Sequence, residues 1–338
     1  MPDSETGSYH RRGADFGASR RFYQREFMSV YTSVSSSQLE EFLQRYDLGK
    51  AQSLAPIAAG ITNSIYMLDT DRGSYVLTLY EHHSDEELDY MLLLQRHLVA
   101  GGLRCSQPVG DRQGEFFSRL NQRPAAIMTR IPGEVQAAPG KTHCASIGAE
   151  LARFHLAGAD FAPVRANPRG IDWMQAVRDT LAQQLDEQDQ QAISDSLRAA
   201  REFDLDQLPG GAIHADLFHD NALFQGDELG GILDFDYACT DAFVFDIAVL
   251  LNDWCIDARY QLVPGLVAAV LDAYRAQRPL QGNEIEALPL MLRLAALRFW
   301  LSRLYDQAFP LAGELTFIKC PEAFREMHRL RSEQVAIG

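Results

Sequence analysis

The chain has 338 residues and a mass of 37.8 kDa, which is more than one hydrophobic core usually carries, so two lobes or domains are expected. With 46% hydrophobic and 23% charged residues it has the composition of a globular protein, which excludes wholesale disorder. The formal net charge of −15 argues against nucleic acid or an anionic membrane as the main partner, because both require a basic surface.

The residue pattern also argues against a membrane or secreted protein. No apolar run reaches the roughly 18 residues that a membrane-spanning helix needs, and no apolar segment typical of a secretion signal is visible near the N-terminus. The five cysteines are scattered and never form a C-x-x-C pair, which disfavours a disulfide framework or a zinc–thiolate site. We therefore expect a cytoplasmic protein, and the sequence indicates no particular oligomeric state.

The chain is predicted to divide into an extension, two lobes and a linker. Residues 1–27 are rich in Arg, Gly and Ser without apolar periodicity, and we interpret them as a poorly ordered extension. Residues 28–130 contain short β-rich runs, a hairpin signal and one amphipathic helix, Asp85–Ala100. Residues 131–143 are rich in Pro and Gly and predict a linker, and residues 144–338 carry mainly helical patterns. This order predicts an α+β fold, with an antiparallel β-sheet in the first lobe and a mainly helical second lobe.

The stretch richest in chemistry is a loop of acidic and polar side chains between apolar runs. It comprises residues 213–221, Ile-His-Ala-Asp-Leu-Phe-His-Asp-Asn, and is followed by Leu233-Asp234-Phe235-Asp236. Like charges placed together need a metal ion, cations or solvent to offset their repulsion. Three interpretations are open at this point: a solvated acidic turn, a site of phosphoryl transfer, or a transition-metal site with the ligands His214, Asp216, His219 and Asp220.

The spacing of the polar residues favours phosphoryl transfer. His214-x-Asp216-x4-Asn221, followed roughly a dozen residues later by an Asp-Phe pair, is the arrangement found in kinases. In that chemistry Asp216 accepts or orients the proton of the attacking hydroxyl group. Asn221 and Asp234 hold the magnesium ion that bridges the phosphates of ATP. We interpret His214 as a hydrogen-bonding residue that holds the loop rather than as a proton carrier.

Several segments together resemble the aminoglycoside-phosphotransferase branch of the protein-kinase-like fold, and within that branch the bacterial homoserine kinases. These segments are Gly60–Ser64, Val76–Glu81, Ile213–Phe218, Asp234–Cys239, Asn252–Cys255 and Leu297–Leu304. The likeness runs from about Met28 to the C-terminal helices and leaves residues 1–27 outside. It implies a two-lobed kinase fold, ATP and Mg²⁺ as cofactors, and phosphorylation of the hydroxyl group of L-homoserine.

The resemblance also implies where ATP binds. The main chain of Met128 and Arg130 would contact the adenine. Kinases usually carry a lysine on the third strand, but the matching position here is Thr78, so the phosphates need another anchor. In kinases an acidic residue of the following helix pairs with this lysine, and the candidates for that residue here are Glu86, Glu87 and Asp89. The loop whose backbone N–H groups would face the phosphates comprises Gly60, Ile61, Thr62 and Asn63.

For the acceptor substrate, the sequence offers two carboxylates and a helix that carries two arginines. Arginine binds carboxylates bidentately, so Arg298 and Arg303 are candidates to bind the carboxylate of an amino-acid substrate, with Trp300 between them. Asp236 is a candidate for a further metal ligand or for binding the substrate ammonium group. Asp253 is a candidate for a wall of the pocket.

Two alternative functions remain open. A kinase of the same fold would act on choline, a sugar amine or an aminoglycoside, since an acidic surface attracts cations. A non-catalytic nucleotide-binding protein is suggested by the missing strand lysine, although Asp216, Asn221 and Asp234 are all present.

Overall fold

The computed structural model describes residues 32–57, 63–310 and 320–333, and within these ranges it contains nine α-helices and ten β-strands. The helices are α1 (Ser36–Leu43), α2 (Asp85–Ala100), α3 (Lys141–Gly158), α4 (Ile171–Thr180), α5 (Glu187–Glu202), α6 (Phe243–Trp254), α7 (Pro264–Gln277), α8 (Gly282–Ala308) and α9 (Glu322–Glu333). The strands are β1 (Ala51–Pro56), β2 (Ser64–Thr70), β3 (Gly73–Leu79), β4 (Ser118–Leu120), β5 (Arg123–Thr129), β6 (Glu134–Val135), β7 (Gly210–Ile213), β8 (Ala222–Gln225), β9 (Glu228–Ile232) and β10 (Cys239–Ala242). The predicted extension, 1–27, and three residues of the predicted phosphate loop, Gly60, Ile61 and Thr62, lie outside the described residues.

The first lobe is a five-stranded antiparallel sheet in the order β1-β2-β3-β5-β4, which confirms the predicted sheet. Its inner face packs against α1 through a buried cluster that includes Leu39, Phe42, Leu68 and Ile127. The helix begins at Ser35, whose hydroxyl group accepts the backbone N–H of Gln38 in a capping box. This small core closes the sheet on the side away from the second lobe's core.

Helix α2 follows the third strand but packs into the core of the second lobe. Its start is also a capping box: the hydroxyl group of Ser84 accepts the N–H of Glu87, and the carboxylate of Glu87 accepts the N–H of Ser84. Its apolar face, including Leu88 and Leu98, belongs to the same buried cluster as α3 and α6. The imidazole Nε2 of His97 lies 2.8 Å from the carbonyl oxygen of Ala157. The helix therefore has a fixed position relative to the large lobe.

The second lobe is mainly helical, as predicted, and is arranged around α6. All residues of this helix except Asp253 are buried, which explains its apolar sequence. Helices α3 and α7 cross so closely that a Cβ at Gly148 would lie 2.5 Å from the carbonyl oxygen of Val270. Among the helices of the described ranges, none combines the length and the apolar character that crossing a bilayer requires.

Two small sheets lie in the second lobe and the linker that leads to it. β7 pairs with β10, and the order of the other sheet is β6-β8-β9. β6 lies within the predicted linker, 131–143, and α3 begins inside it at Lys141, so the connection is partly ordered secondary structure. Main-chain hydrogen bonds attach the hairpin of β8 and β9 to the segment after α2, where the N–H of Ile232 donates to the carbonyl oxygen of Arg104 at 2.8 Å.

Candidate active site

The loop after β7 is held by hydrogen bonds to one buried carboxylate, that of Asp246 in the first turn of α6. Its two oxygens accept the backbone N–H groups of His214 and Ala215, each at 2.8 Å. Ala215 has a φ of 62°, in the left-handed region that an L-residue adopts only at a cost of roughly 1–2 kcal/mol. Two charge-assisted hydrogen bonds to neighbouring amides offset that cost, so Asp246 sets the backbone conformation on which the next residue, Asp216, depends.

Asp246 is itself stabilised as a charged group by neutral partners. His155, fully buried on α3, donates from Nε2 to a carboxylate oxygen of Asp246 at 3.2 Å and accepts at Nδ1 from the hydroxyl group of Tyr274 at 2.7 Å. Burial lowers the pKa of His155, so the imidazole is neutral. Burial alone would raise the pKa of Asp246, but the hydrogen bonds from His155 and from the His214 backbone hold it below its usual value.

His214 has no ring nitrogen left for a metal ion or for proton transfer. Its Nε2 donates to the carbonyl oxygen of Leu233 at 2.9 Å, and its Nδ1 accepts the N–H of Asp216 at 3.3 Å. Burial lowers its pKa, which keeps the imidazole neutral. In the described part of the chain no group of three or more His, Cys, Asp or Glu residues could hold a metal ion, so the transition-metal interpretation is wrong.

The three residues of the kinase pattern come together through one side-chain and one main-chain hydrogen bond of Asn221. The amide group of Asn221 donates to the carbonyl oxygen of Asp216 at 2.8 Å, and the carbonyl oxygen of Asn221 accepts the N–H of Leu233 at 2.9 Å. The second bond places Asp234, the next residue, beside the loop. Asp234 is exposed and has a φ of 60°, which turns the chain out of β9.

The donor set at this point suits magnesium. Because the side-chain nitrogen of Asn221 is used within the loop, its amide oxygen remains available as a ligand. Together with the exposed carboxylate of Asp234 it supplies two hard oxygen ligands. Mg²⁺ is typically bound by one or two carboxylates plus substrate phosphates and water, so two protein ligands are sufficient.

A buried arginine lies beside Asp216. Arg298 on α8 is 3% exposed, and its Nη1 lies 3.4 Å from a carboxylate oxygen of Asp216. Its guanidinium group lies 4.6 Å from the ring centre of Tyr237. The other terminal nitrogen, Nη2, is buried and has no hydrogen-bond partner among the described residues. Burial lowers the pKa of Arg298, and the charge of Asp216 opposes that shift. A buried guanidinium group with an unused donor points to a ligand group of opposite charge.

Asp236 connects the two lobes. Its carboxylate accepts from the amide group of Asn63 at 2.8 Å and lies 3.8 Å from Nε2 of His83. The side-chain oxygen of Asn63 in turn accepts the N–H of Glu81 at 3.4 Å. Asn63, the described end of the predicted phosphate loop, therefore contacts the segment that carries Asp234 and Asp236.

A second polar connection between the lobes is formed by Arg165 and α2, the helix that would carry the acidic partner of the strand lysine. Of the three candidates Glu86, Glu87 and Asp89, Glu87 has a cationic partner in the described part of the chain, since it accepts from Nη2 of Arg165 at 2.8 Å. Nη1 of Arg165 donates to the carbonyl oxygens of Asp236 at 2.9 Å and Ala238 at 2.8 Å. One guanidinium group therefore joins α2 to the segment that follows Asp234, a contact that the sequence did not reveal.

Comparison with known proteins agrees with this geometry. Residues 53–280 match the phosphotransferase enzyme family, APH. The chain belongs to this family. It is 48% identical over 300 residues to homoserine kinase of Methylobacillus flagellatus, covering 89% of this chain and 94% of that protein. It is 42% identical over 300 residues to homoserine kinase of Neisseria meningitidis serogroup B, covering 89% and 98%.

Solved structures of the family share the fold. An amicoumacin kinase in complex with AMP-PNP and Ca²⁺ has a TM-score of 0.66 at 18% identity and covers 88% of this chain and 92% of its own. A spectinomycin phosphotransferase in complex with ADP has a TM-score of 0.60 at 16% identity, covering 88% and 95%. The predicted two-lobed, protein-kinase-like fold is thereby confirmed.

The other predicted acceptor residues of this phosphotransferase occupy different surroundings. Asp253 accepts from the backbone N–H of His219 at 2.6 Å and from its ring at 2.8 Å. Arg303 donates to the carbonyl oxygen of Cys320 at 3.1 Å. Trp300 is 2% exposed and packs 5.5 Å from the ring of His328 on α9. Residues two positions apart in an α-helix point in directions about 200° apart around its axis. Arg298 faces the cleft, so Trp300 faces away from it.

The predicted nucleotide residues lie on adjacent strands. Thr78 is buried on β3 and pairs with Ala126 of β5. Met128 is buried near the end of β5, and Arg130 follows it at an exposed position. Sequence reasoning missed Asp246, Arg165 and Arg298's neighbour Tyr237. Only Asp246 gave a signal, as a lone carboxylate in the apolar run of α6.

Substitution of the buried carboxylate tests its role. We expect Asp246→Asn to lower the free energy of unfolding by about 3 kcal/mol, because an amide has one acceptor oxygen for two N–H groups and cannot carry charge. Urea denaturation measures this change. Asp272→Asn, on the exposed face of α7, is the matched control and should leave the stability unchanged. Equal stability of both variants would contradict the assignment.

The Arg165 connection predicts a kinetic effect. We expect Arg165→Lys to lower phosphotransferase turnover about 10-fold or more, because one ammonium group cannot reproduce a guanidinium fork that contacts two carbonyls and a carboxylate. Steady-state kinetics measures it, with circular dichroism to confirm folding. Arg329→Lys, whose partners Glu326 and Glu333 lie on the surface of α9, should retain full turnover. Full turnover of Arg165→Lys would refute the positioning role.

Proposed function

We propose that the protein transfers the γ-phosphoryl group of ATP to the hydroxyl group of L-homoserine, forming O-phospho-L-homoserine. Family membership supports phosphoryl transfer, and the relatives named homoserine kinase support the acceptor. The observation that carries the acceptor assignment is the buried guanidinium group of Arg298, 3.4 Å from Asp216 and with an unused donor.

Charge distinguishes L-homoserine from the alternative acceptors. Aminoglycosides and choline are cations, and a buried arginine beside the catalytic carboxylate would repel them. Homoserine carries an α-carboxylate, which a guanidinium group binds with charge-assisted hydrogen bonds. The hydroxyl group of homoserine is separated from its α-carbon by two methylene groups, so one molecule can place the hydroxyl at Asp216 and the carboxylate at Arg298.

In this mechanism Asp216 accepts the proton of the substrate hydroxyl as its oxygen bonds to the γ-phosphorus and the bond to ADP breaks. Asn221 and Asp234 would hold Mg²⁺, which neutralises charge on the phosphates when it is bound. Asp236 is positioned by Asn63 and His83 next to this segment. We assign to it the substrate ammonium group, since it is a carboxylate held at the cleft.

The predicted nucleotide site remains part of this proposal. The backbone of Gly60, Ile61, Thr62 and Asn63 would contact the phosphates, with Thr78 in the sheet behind them. Met128 and Arg130 would contact the adenine through the main chain, because they lie where β5 ends and the connection to the second lobe begins. The small-molecule substrate and five free cysteines are in keeping with a cytoplasmic enzyme.

The remaining predicted acceptor residues receive structural roles in this proposal. Asp253 holds the catalytic loop through His219. Arg303 positions the start of α9 through Cys320 and the ring of Phe324, 4.1 Å from its guanidinium group. Trp300 stabilises the packing of α8 against α9.

The catalytic role of Asp216 is tested by the isosteric amide. We expect Asp216→Asn to lower kcat about 1,000-fold, since a general base typically contributes 10²–10⁴, while MgATP binding persists. A coupled ADP-release assay with L-homoserine measures kcat, and calorimetry measures MgATP binding. Asp227→Asn, in the turn between β8 and β9, is the control. Unchanged kcat for Asp216→Asn would overturn the assignment, and no turnover of the native protein would support a non-catalytic function.

The acceptor assignment is tested by removing the carboxylate from either side. The native enzyme should prefer L-homoserine over 3-aminopropan-1-ol, which lacks the carboxylate, by about 100-fold in kcat/KM. Arg298→Gln should abolish this preference, because the variant loses the same interaction. Arg303→Gln should keep it. A preference that survives in Arg298→Gln would place the carboxylate elsewhere.

A further inference from the structure

A cavity of about 340 Å³ lies in the second lobe between the end of α5, the first half of α8 and the end of α9. Its apolar walls are Phe203, Pro289 and Leu290, and its basic residues are Arg293 and Arg331. None of its lining residues belongs to the candidate active site. It is therefore a separate feature of the fold and requires its own explanation.

The two arginines lack the partners that buried guanidinium groups require. Arg331 is 2% exposed, and its Nη1 has no hydrogen-bond partner, although its Nε donates to the side chain of Asn252 at 2.8 Å and its Nη2 to the carbonyl oxygen of Tyr260 at 3.1 Å. Nε of half-buried Arg293 is also buried and unpartnered. In the described part of the chain, neither arginine has a carboxylate within ion-pair distance. Such groups are destabilising unless an anion offsets them.

The charges around the cavity leave it positive. Burial lowers the pKa of Arg293 and lowers that of Arg331 to about 10, so both stay protonated at neutral pH. His328 lies nearby, but burial lowers its pKa to about 4 and keeps it neutral. Asp195 acts on Arg293 only at a distance. The one acidic residue of the lining, Glu202, is exposed at the rim and lies 3.9 Å from Arg198.

We propose that this cavity binds a small anion through a single carboxylate or phosphate group held by Arg293 and Arg331. The volume is large enough for inorganic phosphate or a small organic acid. Two guanidinium groups converging on one ligand are the usual means of binding either group. The proposal does not depend on the acceptor substrate of the enzyme.

The cavity also adjoins the elements that carry the active site. Arg331 orients Asn252 of α6, and the next two residues hold the catalytic loop: Asp253 through His219, and Trp254 by donation from its indole to the carbonyl oxygen of Leu217 at 3.0 Å. An anion bound by Arg331 would therefore be connected to this loop through Asn252 and the two residues that follow it in α6.

The experiment measures anion binding to the full chain by calorimetry, with sodium phosphate and sodium acetate as separate probes at constant ionic strength. Arg293→Met removes one guanidinium group and keeps the volume, and it should weaken binding about 10-fold or more. Arg298→Gln should retain binding at this site, which separates the cavity from the active site. Arg198→Met, at the exposed neighbour of Glu202, is the matched control and should bind as the native protein does.

A second variant, Ala199→Met, tests the proposal if Arg293→Met does not fold. Ala199→Met keeps both arginines and fills the cavity from α5, so it should abolish binding as well. Saturable binding of phosphate alone would identify a phosphate ligand, and binding of acetate alone a carboxylate ligand. The proposal is overturned if neither probe binds saturably, or if the folded Arg293→Met and Ala199→Met variants bind as tightly as the native protein.

Discussion

The site depends on one buried carboxylate that accepts two consecutive backbone N–H groups. Asp246 stabilises His214 and Ala215 in a conformation that includes a left-handed alanine, and this turn presents Asp216 to the cleft. Burial would raise the pKa of Asp246, but the hydrogen bonds from the ring of His155 and the backbone N–H of His214 hold it below its usual value. Burial lowers the pKa of both imidazoles, His155 and His214. The charged carboxylate of Asp246 accepts two main-chain N–H groups, which it stabilises without a cationic imidazole beside it. These hydrogen bonds attach the loop to α6, which is buried at the centre of the lobe.

The relation between the two lobes depends on polar contacts that replace the usual lysine–glutamate pair. Arg165 joins Glu87 on α2 to the carbonyl oxygens of Asp236 and Ala238, and the side-chain amide of Asn63 donates to the carboxylate of Asp236. Because the apolar face of α2 belongs to the core of the second lobe, these contacts act on a helix that is already in place. The position of α2 therefore does not depend on a lysine at position 78, where this chain has threonine.

Three arginines of the second lobe, Arg293, Arg298 and Arg331, each have a buried side-chain nitrogen with no hydrogen-bond partner among the described residues. Arg298 has only Asp216 nearby and an unused donor, whereas Arg293 and Arg331 lack a carboxylate within ion-pair distance among the described residues. The net charge of −15 makes this arrangement informative, because the chain has ample carboxylates with which to neutralise them. The lack of a carboxylate beside Arg293 and Arg331 in the described residues is the basis of the proposal that a bound anion supplies the opposite charge.

Local pattern in the sequence was sufficient to predict the candidate catalytic loop around Asp216, the helix Asp85–Ala100 and the order of a sheet-containing and a helical lobe. These features depend on residues close together in the chain, and spacing is therefore sufficient to predict them. Only the tertiary structure decided which distant residues meet: Asp246 and His214 are 32 positions apart, Glu87 and Arg165 78, and Asp216 and Arg298 82. It also placed Trp300 in the core and Arg298 at the cleft, although the two are neighbours on one helix. Periodicity tells which residues share a face of a helix, but packing against other elements decides where that face points.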